Sequence, residues 1–182
     1  MLMPGAITAT ITTTERSSRG RIASGGRTKE IQRLIGRSLR AVIDLSLIPE
    51  LGIVVDCDVI QADGGTRTAS INGAFIAVVQ ALRLWKKSRG LSAWPVRDYV
   101  SAVSVGLVNG KAMLDPDYVH DRDADVDMNI VMTGTGRFVE VQGCAEHKPF
   151  SHQELQSLLS LAARGIRQIL SVQKKVLKDI HG

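Results

Sequence analysis

The chain has 182 residues, a formal net charge of +5, and 44% apolar against 23% charged residues. That length suits one domain with a real hydrophobic core, and that composition excludes wholesale disorder. No apolar run reaches the roughly 18 residues that a helical membrane span needs.

The opening stretch MLMPGAITATITTT lacks a basic region followed by an apolar one, so no secretory signal is read there. The charge is uneven. Residues 1–40 hold eight Lys and Arg against Glu15 and Glu30, a net of +6, so the other 142 residues sum to −1. A basic arm on a near-neutral body fits a polyanionic partner, or a solvated basic helix face. Aromatic residues make up only 4% of the chain, so no stacking platform for single-stranded RNA is visible. Cys57 and Cys144 are too few for a disulfide framework or a zinc site. Both are expected to be small buried residues in a reducing cytoplasm.

Residues 1–26 are rich in Thr, Ser, Gly and Arg with little periodicity, and read as a basic flexible arm. In residues 28–44, Ile31, Leu34, Ile35, Leu39 and Val42 recur at helical spacing, which predicts an amphipathic helix. Residues 51–62 alternate Val55, Cys57 and Val59 with Asp56 and Asp58, so a strand is expected, broken by Gly64-Gly65. A second helix is predicted over 67–87, ending at Ser88-Arg89-Gly90. Residues 99–108 and 111–114 are apolar runs joined by Asn109-Gly110, a hairpin signal because both turn residues need positive φ. A second hairpin is expected about Gly134-Thr135-Gly136. The last helix opens at Ser151 with Glu154 three residues on, a capping-box pattern, and runs to about residue 177. Hairpins mixed with helices predict an α+β class, an antiparallel or mixed sheet with helices packed on it. No internal domain boundary is placed.

Two features carry potential chemistry. Gly25-Gly26-Arg27-Thr28 and Gly64-Gly65-Thr66-Arg67-Thr68 each stand immediately before a predicted helix. Glycine lets the backbone approach a ligand. The unpaired N–H groups and dipole of a helix start favour an anion, and Arg adds a bidentate clamp for phosphate. Each corner is either a plain turn or half of an anion site. The second feature is an acidic run, with six Asp between Asp115 and Asp127. Asp121 and Asp127 can share a Mg²⁺ ion only if the chain between them turns back; otherwise the run is a solubilising loop. His120 and His147 read as ordinary surface or core histidines.

Taken together, GGRTKEIQRLIGRSLRAVIDL, DCDVIQADGGTRTASINGA, SAVSVGLVNG, DMNIVMTGTGRFVEVQG and AEHKPFSHQEL closely resemble RNase PH, in that order and spacing. The resemblance runs from about Arg19 to the C-terminus. It implies an RNase PH-like fold and a phosphorolytic 3′→5′ exoribonuclease that trims tRNA precursors and releases nucleoside 5′-diphosphates. It places phosphate binding on Arg27, Gly65, Thr66 and Arg67, and catalysis with Mg²⁺ binding on Asp121 and Asp127. RNA binding falls on Arg16, Arg19 and Arg21 in the arm, ahead of a catalytic domain over residues 27–182. It also implies inorganic phosphate as co-substrate, a cytoplasmic homo-oligomer (a hexamer, as a trimer of dimers) and no membrane. The alternative is a catalytically inactive RNA-binding or ring-assembly subunit of the same fold.

The chain departs from the family pattern in three ways. From the resemblance, the family's N-terminal quarter is expected to be missing ahead of Met1. Residues 8–14 hold only Thr, Ala and Ile where the family has several Arg. Arg122 follows Asp121 in place of Ser, so it is a candidate partner for the metal carboxylates.

Overall fold

A computed structural model describes residues 7–12, 26–49, 51–91 and 93–180. In chain order these form β1 (Ile7–Thr12), α1 (Gly26–Arg40), a 3-10 turn (Leu45–Leu47), β2 (Val54–Val59), α2 (Thr66–Arg89), β3 (Val100–Val108) and β4 (Lys111–Leu114). There follow α3 (Tyr118–Arg122), β5 (Val126–Thr133), β6 (Phe138–Ala145) and α4 (His152–Leu177). The strands make an antiparallel ribbon, β1-β2, and an antiparallel four-stranded sheet in the order β4-β3-β5-β6. The expected α+β class is the one found.

Helix α2 is the centre of the fold. It packs against both sheets and against α1 and α4. Its residues Ile71, Ala74, Phe75, Val78, Val79 and Leu82 are essentially excluded from solvent. A helix touched on several sides needs no narrow apolar stripe. Its partner in the main sheet is β3, in which all nine residues are buried. Where β4 stops short, the side chain of Asn72 in α2 replaces a neighbouring strand. Its amide donates to the Ala102 carbonyl at 2.8 Å and accepts from the Ala102 N–H at 2.9 Å. In α4, Gln173 is 1% exposed, donates to the Val100 carbonyl at 3.0 Å and accepts from Ser101 Oγ at 2.9 Å. Buried amides are tolerated only when paired in this way.

The predicted local signals correspond to real geometry. Asn109 and Gly110 have φ of 50° and 72° and join β3 to β4. Asp98 holds the β5–β6 turn by accepting from the Thr135 N–H at 3.0 Å. Ser151 and Glu154 form the reciprocal capping box of α4.

Four expectations are corrected. Helix α1 stops at Arg40 rather than near residue 44, because the backbone groups of Val42 and Asp44 bond to Arg97 and Pro95 instead. Part of the presumed arm, residues 7–12, pairs along β2 as a strand. The acidic run, loop-like in composition over residues 120–125, makes one turn of helix over 118–122, capped by the Asp117 side chain. Cys144 is exposed and Cys57 only half-buried, since β6 is the outer strand of its sheet and β2 belongs to the thin two-stranded ribbon.

Phe75 is the largest fully buried side chain and stacks tilted on Tyr99 at 5.8 Å. Phe75→Ala is expected to destabilise the chain by about 3–5 kcal/mol, read from urea unfolding midpoints. A loss below about 1 kcal/mol would contradict the central position given to α2.

Candidate active site

The site is built around the start of α2. Gly64 and Gly65 have φ of +76° and +56°, a left-handed conformation that side chains rarely adopt. A Cβ on Gly64 would also lie 2.4 Å from the Pro116 carbonyl oxygen, so the corner is pressed against the chain that leads into α3. Gly65 caps α2 without a side chain. The first-turn N–H groups of α2 are therefore left for solvent or a ligand, at the positive end of the helix dipole. The same contact fixes α3: the Tyr118 N–H donates to Asp63 Oδ1 at 3.0 Å, just before the glycines.

Arg67 stands in the first turn of α2, partly buried. Its Nη1 lies 3.5 Å from Glu30 Oε1 in the first turns of α1. Glu30 also accepts from Gln142 of β6 at 3.1 Å. These bonds bring the two predicted corners together, because Arg27 is the second residue of α1. The convergence is felt at Asp121, in α3. Burial raises its pKa, and the Arg67 and then the Arg27 charge oppose that rise. Asp127, in β5, is raised by burial and then by the neighbouring Asp121 charge, with Arg67 opposing. Arg27, Arg67, Asp121 and Asp127 thus share one electrostatic site, with Thr66 beside them at the first position of α2.

The condition set for the two aspartates is met. The chain turns back after α3, and the Asp125 N–H bonds to the Leu107 carbonyl at 2.8 Å before β5 begins. Two partly buried carboxylates that repel each other offer hard oxygen donors and excess negative charge, which fits Mg²⁺ with waters completing its shell. Among the described residues no group of three His, Cys, Asp or Glu side chains closes around a metal.

Neighbouring groups fall into place. Arg122 does not reach the aspartate pair: it grips Asp123 with two bonds of 2.7 and 2.8 Å. His120 pairs with Asp117 at 2.7 Å, and His147 lies 3.2 Å from the Ala124 carbonyl. Arg16, Arg19 and Arg21 lie outside the described residues. Sequence reasoning passed over Glu30 and Glu146. Glu146 follows β6, and its charge acts on both Asp121 and Asp127. Glu30 had a signal, since it lies three residues after Arg27 on one face of a helix. Glu146 had none, because its place depends on the long-range β5–β6 pairing.

The pKa directions have a consequence for stability. An acid whose folded pKa is raised carries no penalty below its unfolded value. The penalty grows as pH rises through the interval between the two values and is complete above the folded one. Asp127→Asn should therefore make the chain more stable than the parent at pH 7. The difference should fade as pH falls below the ordinary carboxylate range. Melting curves across pH check this; a variant less stable than the parent at pH 7 would contradict it.

The model described as "3′ exoribonuclease family, domain 1" matches residues 3–83, and "3′ exoribonuclease family, domain 2" matches residues 98–165. The chain is 54% identical over 163 residues to Ribonuclease PH of Moorella thermoacetica, covering 90% of this chain and 64% of that protein. It is 51% identical over 170 residues to Ribonuclease PH of Syntrophomonas wolfei, covering 93% of this chain and 70% of that protein. The crystal structure of rice (Oryza sativa) Rrp46 superposes with a TM-score of 0.73 at 17% identity, over 95% of this chain and 84% of that one. That likeness shows the fold, and the two close relatives show the lineage: this chain belongs to the ribonuclease PH family of 3′ exoribonucleases.

Proposed function

We propose that the chain is a phosphate-dependent 3′→5′ exoribonuclease that trims the 3′ ends of tRNA precursors and other RNAs. The observation that carries this reading is the convergence of Arg27 and Arg67 on Asp121, beside the uncapped start of α2. Membership of the ribonuclease PH family supports it.

In the reaction, an oxygen of inorganic phosphate attacks the phosphorus of the last phosphodiester. The bond from that phosphorus to the 3′ oxygen of the preceding nucleotide breaks. The products are a nucleoside 5′-diphosphate and an RNA one residue shorter, whose new 3′ hydroxyl takes up a proton. Both reactants are anions, so their approach has to be screened. Arg27, Arg67 and the backbone N–H groups of Thr66 and Arg67 bind the attacking phosphate and offset its charge. Asp121 and Asp127 would hold Mg²⁺, which would supply charge neutralisation for the phosphoryl transfer.

In this reading residues 27–182 are the catalytic domain. Arg16, Arg19 and Arg21, which follow β1 in the chain, grip RNA. The working form is a cytoplasmic homo-oligomer, a hexamer built as a trimer of dimers. Among the described residues no helix is long and apolar enough to cross a membrane.

The test is to incubate the purified chain with a CCA-ended RNA, phosphate and Mg²⁺. Nucleoside diphosphate should appear only when phosphate is present. A folded sample that binds RNA without releasing diphosphate would overturn the reading in favour of a non-catalytic subunit. Arg67→Ala should raise the KM for phosphate by roughly 10–100-fold, the loss of a charged hydrogen-bonding clamp, while RNA affinity changes far less. Equal effects on both would reject the role given to Arg67.

A further inference from the structure

Beneath the glycine corner lies a buried polar cluster that the reaction itself does not use. Thr68, Ser104 and Asn129 are 3%, 3% and 5% exposed. They come from three elements, α2, β3 and β5. Thr68 Oγ1 donates to the Gly65 carbonyl at 2.9 Å and lies 3.3 Å from Ser104 Oγ. Ser104 Oγ in turn donates to Asn129 Oδ1 at 2.9 Å. Asn129 sits two residues after Asp127 on β5, so both point to the same side of that strand. Ser104 is the residue across from Asn129 on β3.

The Gly65 carbonyl is the informative end. It also accepts from the Ala69 N–H at 3.0 Å, so two donors hold it down along the helix. The Gly65–Thr66 peptide is planar and trans, which points its N–H opposite to its carbonyl. Pinning the oxygen inward therefore aims the Thr66 N–H outward, past the helix start and into the site. Gly65 has the widest conformational freedom of any residue type, so this plane is the one that most needs an external tie. A threonine inside a helix is not otherwise favoured, and here it is fully enclosed.

We propose that Thr68, backed by Ser104 and Asn129, is a positioning residue for the phosphate co-substrate: its hydroxyl locks the Gly65–Thr66 peptide so that the Thr66 N–H faces the bound anion. The same three side chains tie the phosphate corner to the strand that carries Asp127, so nucleophile and aspartate pair keep a fixed separation. This rests on the phosphorolytic reading, and the test separates the two.

Phosphate affinity is measured directly, by ³¹P NMR titration of the full chain with inorganic phosphate. It is compared with RNA affinity in the absence of phosphate. Thr68→Val, which keeps the shape and removes the hydroxyl, should weaken phosphate binding on the order of tenfold, with RNA affinity unmoved. Thr68→Ser, which keeps the hydroxyl, should bind phosphate like the parent. Phosphate affinity unchanged in Thr68→Val, or lost equally in Thr68→Ser, overturns the inference while leaving the function intact. A parent chain that does not bind phosphate overturns both. If Thr68→Val does not melt cooperatively, Thr68→Ala takes its place with the same expected loss, and an unchanged affinity there overturns the inference.

Discussion

In the proposed reaction two negatively charged reactants must be brought together, and the positive starts of two neighbouring helices suit that constraint. The starts of α1 and α2 each carry an arginine, and no side chain caps the start of α2. Neither start works alone, because an exposed arginine on one helix is largely screened by water. Joined through Glu30, with Arg67 partly withdrawn from solvent, the two arginines both act on the Asp121 charge. The central burial of α2 serves this end: the helix that presents the phosphate corner is the one the rest of the molecule grips most firmly.

The aspartates add the opposite tension. Burial raises both Asp121 and Asp127, and the Asp121 charge raises Asp127 further. Function is where a fold tolerates such conflict. A cation beside the pair and an anion beside the arginines each relieve part of it. In the proposed site the two ligands are coupled through these side chains, and each should favour the other.

Much of this was legible in the sequence because it is local. Asn109-Gly110 dictates a turn whatever surrounds it, Ser151 and Glu154 cap a helix from within four residues, and the glycine-arginine corners announce helix starts open to anions. What stayed hidden depends on long-range pairing. Glu146 enters the site only because β6 pairs with β5, and Cys144 is exposed only because β6 ends the sheet. Asn72 and Gln173 look like ordinary polar helix residues until β3 is seen to lack a neighbour along part of its edge. The acidic run was ambiguous for the same reason. Spacing alone does not say whether Asp121 and Asp127 meet, and the turn of helix at Tyr118–Arg122, pinned to Asp63, is what brings them round.

The shared site is tested most directly by following the side-chain carboxyl signals of Asp121 and Asp127 in a ¹³C NMR pH titration of the metal-free chain. Replacing Arg67 with Met should move both aspartates to higher titration points, since its charge acts on both. Replacing Arg27 with Met should raise Asp121 and leave Asp127 nearly where it was. If neither aspartate responds to the loss of Arg67, the arginines and the aspartates do not form one site, and the account fails.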